Sequence, residues 1–143
     1  MTATDPFFLD TNILVYAYNT KDGERHEIAK TLMNDCIEGR RHLVVSNQIL
    51  AEFNRVVRYK LEHPFPPELV QRIISQINRL PSCKKINYTT HTVEKAFING
   101  QSNSPWDALI AQTMKENGIV HIYTENTKDF QKMDGIVAIN PFK

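Results

Sequence analysis

The chain has 143 residues, of which 41% are hydrophobic and 23% charged, with a formal net charge of +1. These values suit one globular domain spanning residues 1–143, long enough to bury about 70% of its unfolded surface without staples. A near-neutral balance excludes a broad basic field, so a nucleic-acid partner would have to be met by a local patch.

The chain opens on a loose entry, Met1 to Pro6. Phe7 to Leu9 read as a short, fully buried strand of the kind parallel sheets require. Thr11 to about Tyr18 suit a helix, and Asn19 to Gly23 a polar loop. Glu24 to Glu38 carry Ile28, Leu32 and Cys36 at helical spacing, and Gly39 ends that helix. His42 to Val45 read as a second strand, and Ser46 and Asn47 are good N-cap residues. Gln48 to Lys60 form a helix striped by Ile49, Leu50, Phe53, Val56 and Val57. The prolines of His63 to Pro67 make a connection. Glu68 to Leu80 are amphipathic, and Pro81 stops that helix.

Lys84 to Tyr88 suit a short extended piece, and Thr90 to Ile98 a brief helix ended by Asn99-Gly100. A polar loop, Gln101 to Ser104, leads into a helix from Pro105 to Asn117. Ile119 to Tyr123 form a strand, Thr124 to Asp129 a polar turn, and Ile136 to Ile139 the last strand. Strands alternating with helices define an α/β fold with a mostly parallel sheet. Cys36 and Cys83 form no CxxC pair and read as reduced core thiols of a cytoplasmic protein, with no zinc. No basic segment precedes an apolar run at the start, so no signal peptide is expected. No apolar stretch approaches the ~20 residues that span a bilayer.

Four acidic positions fall where strands meet helices or early in helices. Asp10 follows the first strand, where it serves equally as an N-cap for the next helix. Glu52 borders an apolar stripe, with Arg55 at i+3 as an ordinary partner. Asp107 stands at the capping-box position after Ser104-Pro105-Trp106, which by spacing alone favours a cap. The fourth is a region, the polar turn after Tyr123, which carries Glu125 and Asp129. A sheet that brings Asp10, Glu52, Asp107 and Asp129 to one edge gathers like charges that cannot all stay ionised without a cation. Oxygen-rich sites of that kind suit Mg²⁺ or Mn²⁺, the equipment for phosphodiester hydrolysis.

The ordered set Phe8-Leu9-Asp10-Thr11-Asn12-Ile13-Leu14-Val15-Tyr16-Ala17, Ser46-Asn47-Gln48-Ile49-Leu50-Ala51-Glu52-Phe53, Trp106-Asp107-Ala108-Leu109-Ile110-Ala111, Tyr123-Thr124-Glu125-Asn126 and Ile139-Asn140-Pro141-Phe142 resembles the PIN-domain family. Within that family it is most similar to the VapC-type toxin ribonucleases of toxin–antitoxin pairs. The resemblance implies a three-layer α/β/α fold and a Mg²⁺- or Mn²⁺-dependent endoribonuclease that cuts RNA. It also implies a homodimer and a cognate antitoxin whose peptide enters the acidic groove. It carries the catalytic and metal-holding acids onto Asp10, Glu52 and Asp107. Thr11 and Asn12 would support the first acid by hydrogen bonding, and Ser46 or Asn47 would shape the pocket or contact phosphate. Many relatives carry Asp where this chain has Asn126, so the fourth acidic role is assigned to Asp129, with Glu125 as the fallback. Arg40, Arg41, Arg55, Arg58 and Lys60 are the basic residues nearest the second strand and its helix, either drawing RNA or simply solvated.

Two other readings compete. Haloacid-dehalogenase-like phosphatases also place Asp after the first strand, but they require a second Asp two positions on, where this chain has Asn12. A PIN-like fold retained as an RNA- or protein-binding module without cleavage would account for Asn126.

Overall fold

A computed structural model describes residues 5–98 and 104–143. The expected stop at Asn99-Gly100 and most of the loop after it lie outside the described residues. Five strands form one sheet: β1 (Phe7–Leu9), β2 (Leu43–Ser46), β3 (Cys83–Ile86), β4 (His121–Tyr123) and β5 (Val137–Ile139). Every pairing is parallel, and the order is β3-β2-β1-β4-β5. The helices are α1 (Thr11–Tyr18), α2 (Glu24–Ile37), α3 (Asn47–Tyr59), α4 (Pro67–Arg79), α5 (Thr90–Ala96), α6 (Pro105–Glu116) and α7 (Thr127–Gln131).

The strand order dictates the layers. From β1 the chain steps outward through β2 to β3, then crosses β1 to reach β4 and β5 on the other side. Right-handed crossovers running in opposite directions place their helices on opposite faces. In agreement, α1 to α4 pack against one another as one group, and α5, α6 and α7 as the other. This is the three-layer α/β/α arrangement. The direction of stepping reverses between β1 and β4, and the crevice outside the carboxyl ends of those strands is where such sheets bind ligands.

The central strands are apolar because both of their faces are covered. Phe8, Leu43, Val44 and Ile122 are completely buried, together with Leu14, Ile49, Phe53 and Ile77 from the helices. Each contributes about 1.5–3 kcal/mol by leaving water. Cys36 and Cys83 are buried free thiols within this core.

Several boundaries shift for physical reasons. β3 begins at Cys83 because it registers with Leu43, and Lys85 turns back so that its Nζ donates to the carbonyls of Ile77, Leu80 and Cys83. A cation there satisfies carbonyls at the C-terminal end of α4. Ile119 and Val120 do not join β4; the Ile119 N–H closes onto the Met114 carbonyl past Gly118, whose φ of 70° only glycine adopts readily. The polar loop before α2 tightens into a 3₁₀ turn over Thr20–Asp22.

The stretch expected as a polar turn after β4 contains helix α7. Its sequence has no helical stripe; one side chain, the fully buried Phe130, fastens it to the core. Tertiary packing supplies what a five-residue helix lacks on its own. Among the described residues, no helix is long and apolar enough to cross a membrane.

Candidate active site

Two strand ends set the geometry. The Asp10 N–H donates to the Tyr123 carbonyl at 3.0 Å, so the residues just beyond β1 and β4 emerge side by side. Asp10 is both things the sequence offered. As N-cap of α1, its Oδ1 accepts from the Thr11 N–H at 2.8 Å. Its Oδ2 accepts from the Thr124 hydroxyl at 2.7 Å. Thr124 in turn accepts the Asn126 N–H, which bends the chain after β4 back toward Asp10.

Glu52 comes from the middle of α3. Ser46 starts that helix, its hydroxyl oxygen accepting from the Ile49 N–H at 3.2 Å, and so sets where Glu52 stands. Glu52 accepts from the Thr11 hydroxyl at 2.7 Å and from Gln48 Nε2 at 3.2 Å. The expected ion pair with Arg55 does not form, because Thr11 and Gln48 hold the carboxylate toward Asp10.

Asp107 lies in the first turn of α6, and the Ser104 side chain makes no capping hydrogen bond to that helix. Asp107 Oδ2 instead accepts from Asn126 Nδ2 at 3.2 Å. The residue that replaces a charge in this chain therefore hydrogen-bonds a neighbouring acid.

The electrostatics of the group are those of a crowded anion site. Burial raises the Asp107 carboxyl to about 6, and the charges of Asp10, Asp129 and Glu52 add to that rise. Burial also raises Asp10, opposed by the bonds from Thr124 and Thr11 and reinforced by Glu52. Asp107 thus feels Asp10, Glu52 and Asp129 as near neighbours. Asp129 comes from α7, with Lys132 3.9 Å away.

Glu125 faces the other way. Tyr16 Oη donates to it at 2.5 Å and Arg25 Nε at 2.8 Å. Burial alone would raise its pKa, but these bonds and the charges of Arg25 and Lys143 outweigh it and hold Glu125 low. Arg25 and Tyr16 also pack on the Phe142 ring, so Glu125 helps to anchor the C-terminal segment.

Three supporting assignments change. The Thr11 N–H supports Asp10, but its hydroxyl supports Glu52. No hydrogen bond from the Asn12 amide to Asp10 is seen among the described residues, and its Oδ1 is buried without a partner. Ser46 is 2% exposed with its oxygen committed to the cap, so it positions α3 and does not reach a phosphate. Two of the expected RNA-attracting residues are also engaged elsewhere. Arg40 pairs with Asp35 and Glu38, and Arg41 bonds Tyr123 Oη and Asp35. Both precede β2 and so lie at the amino ends of the strands, away from the acids. Arg55, by contrast, lines a 440 Å³ cavity together with Asp10, Thr11, Asn12 and Glu52.

Sequence reasoning missed Thr124 and Gln48. Neither has a local signal; Thr124 matters because the register Leu9↔Tyr123 places it beside Asp10. Among the described residues, no three His, Cys, Asp or Glu side chains close on one point as a finished metal cage. The hydroxyls of Thr11 and Thr124 and the amide of Asn126 occupy one oxygen each on three separate carboxylates, which holds like charges apart. The donor set is nonetheless all hard oxygen with an excess of negative charge and one orphaned amide oxygen, which fits Mg²⁺ or Mn²⁺.

A parallel α/β sheet with acids gathered at its switch point defines the class of site. The PIN domain description matches residues 7–136, and the chain belongs to that family. No curated protein matches it in sequence. Among solved structures it is similar to Mycobacterium tuberculosis VapC20, a sarcin–ricin loop cleaving toxin (TM-score 0.62, 19% identity, 84% of this chain and 89% of that one). It is also similar to VapBC2 of Rickettsia felis bound to promoter DNA (TM-score 0.62, 20% identity, 94% and 98%). A third relative is the DNA-bound VapBC of Salmonella typhimurium (TM-score 0.65, 18% identity, 96% and 98%). At these identities the likeness is one of fold.

Proposed function

We propose that the chain is a metal-dependent endoribonuclease, one PIN domain over residues 1–143, acting as the cytoplasmic toxin of a toxin–antitoxin pair. The observation that carries the reading is the gathering of Asp10, Glu52 and Asp107 at the carboxyl ends of β1 and β4, tied there by Thr124, Thr11 and Asn126, where burial first and then the charges of Asp10, Asp129 and Glu52 raise Asp107 to about 6. Asp10, Glu52 and Asp107 have hydroxyl and amide donors but no basic side chain paired with them among the described residues, the arrangement a bound cation would complete. The resemblance to VapC and VapBC proteins supports RNA as substrate, a cognate antitoxin as inhibitor and a homodimer as the assembly.

Asp10, Glu52, Asp107 and Asp129 would hold Mg²⁺ or Mn²⁺. The bound ion supplies Lewis-acid polarisation of the phosphate and a lowered pKa for water. The chain's own groups do the rest. Thr124 and the Thr11 N–H fix both oxygens of Asp10, and the Thr11 hydroxyl and Gln48 fix Glu52. Asn126 holds Asp107 by Oδ2, which leaves Oδ1 free to take a proton from attacking water. Attack in line on the phosphodiester breaks the bond to the 3′-oxygen and leaves a 5′-phosphate.

The test is cleavage-site mapping of a structured RNA by purified protein with Mn²⁺. Cleavage abolished in Asp10→Asn supports the reading, and equal cleavage by Asp10→Asn overturns the catalytic assignment. RNA binding by both proteins without cleavage by either would favour the non-cleaving module that Asn126 suggests.

A further inference from the structure

The hydrogen bonds around the acids close on themselves. Thr124 donates to Asp10, the Thr11 N–H donates to the same carboxylate, and the Thr11 hydroxyl donates onward to Glu52. On the other side Thr124 accepts the Asn126 N–H, and the Asn126 amide donates to Asp107. Two arcs therefore leave Thr124, one ending on Glu52 and the other on Asp107. Gln48 joins their ends. Its Nε2 lies 3.2 Å from Glu52 Oε1 and 3.3 Å from the carbonyl oxygen of Trp106, the residue before Asp107.

This bridge crosses between the two groups of helices. Gln48 and Glu52 stand four residues apart on α3, which sets them on one face of it. Trp106 and Asp107 lie in the first turn of α6, which packs with α5 and α7. Among the described residues, the Gln48 bond is the one hydrogen bond from α3 to α6. The two hydrogens of a single amide nitrogen meet two oxygen acceptors, so a flipped amide would set its own oxygen against both. Each bond alone is modest. Together they fix the span between two carboxylates that repel each other.

Resting on the reading of the site as a cation-dependent ribonuclease, we propose that Gln48 is a positioning residue that closes this ring and sets the span between Glu52 and Asp107 for the cation they would hold. It acts through the Glu52 carboxylate and through the backbone of the first turn of α6, and it takes no part in proton transfer. Thr11, the other donor to Glu52, cannot replace it, because Thr11 bonds Asp10 and Glu52 and no residue of α6. With Gln48 removed, each acid keeps its own support, but Glu52 and Asp107 are free to move apart under their shared charge.

Three variants test the bridge. Gln48→Met keeps the length of the side chain and Gln48→Glu its shape, and both lack the donor. Thr11→Val removes only the hydroxyl bond to Glu52. In metal-free protein, nitrogen-15 relaxation should show larger motion of the Trp106 and Asp107 amides in both Gln48 variants and wild-type values in Thr11→Val, where Gln48 stays anchored on α3. Mn²⁺ binding to Gln48→Met, read as free ion by electron paramagnetic resonance, should weaken about tenfold, as the loss of a group that orients metal ligands does. RNA turnover should fall about tenfold with it, while KM stays within about twofold. Amides unchanged in both Gln48 variants, equal motion in Thr11→Val, or Mn²⁺ affinity within about twofold of wild type would overturn the proposal. Should Gln48→Met fail to fold, the relaxation of Gln48→Glu decides. Freed amides and weakened Mn²⁺ binding in a protein that cleaves no RNA keep the bridge and sink the ribonuclease reading. Unchanged amides, Mn²⁺ affinity and turnover in Gln48→Met, beside cleavage lost in Asp10→Asn, do the reverse.

Discussion

Thr124 and Glu125 are chain neighbours that belong to opposite kinds of surface. Thr124 turns inward and gives its hydroxyl to Asp10, joining a group of acids without a single basic partner within hydrogen-bond reach. Glu125 turns outward to Arg25 and Tyr16, so its charge is neutralised and its work is mechanical. Both regions are rich in carboxylates. The difference is burial and whether a cation meets them. Glu125, bonded to Arg25 and Tyr16, stays low and ties elements together. Asp10 and Asp107 rise, chiefly by burial and then by the neighbouring acids' charges, a repulsion a cation can relieve.

The largest expected break in this contrast is Asp10→Asn, which should lower RNA cleavage by roughly a thousandfold or more, since it removes a charge at the centre of the site. Turnover under excess substrate measures it. Asp129→Ala and Glu125→Ala then set one region against the other. Asp129→Ala should cost about a hundredfold in turnover and Glu125→Ala less than about threefold, as expected for a charge inside the site against one spent on packing. The opposite ranking would move the fourth acid to Glu125.

The pH dependence separates the regions by sign. The folded Asp107 carboxyl lies above its unfolded value, so the folded state binds the proton more tightly and stability falls as pH rises through about 4 to 6. Glu125 is held low, so its contribution is present above its unfolded value and is lost as pH falls. Melting of metal-free protein should therefore show stability lost by about 1 kcal/mol across the Asp107 window, after screening by solvent, and Asp107→Asn should flatten it. Added Mn²⁺ should raise the melting temperature above pH 6 and have progressively less effect below it, because protons and cation compete for the same oxygens. The smallest effect is expected from Glu125→Gln. It should destabilise by about 0.5–1 kcal/mol, the range of an exposed ion pair, and leave cleavage intact.

The fold class was legible in local pattern and the family in the resemblance of an ordered set of motifs, which also singled out Asp10, Glu52 and Asp107 where spacing alone favoured a cap for Asp107. Buried parallel strands are short apolar runs, helices keep their 3.6-residue period, and an acid at a strand end or in a helix's first turn can be counted along the chain. Helix α7 was not legible, since five polar-flanked residues have no period and only the burial of Phe130 makes them helical. The supporting contacts were hidden for the same reason. That Thr11 serves Glu52 across 41 residues, that Thr124 serves Asp10 across 114, and that Arg41 is drawn to Tyr123 across 82 follow from which strands lie side by side. The sequence by itself determined which residues carry charge and which segments must be buried. Only the tertiary structure decided that Asp129 shares the field of the other acids while Glu125 does not. Charge acts through distance and dielectric, and both are properties of the packed sheet edge.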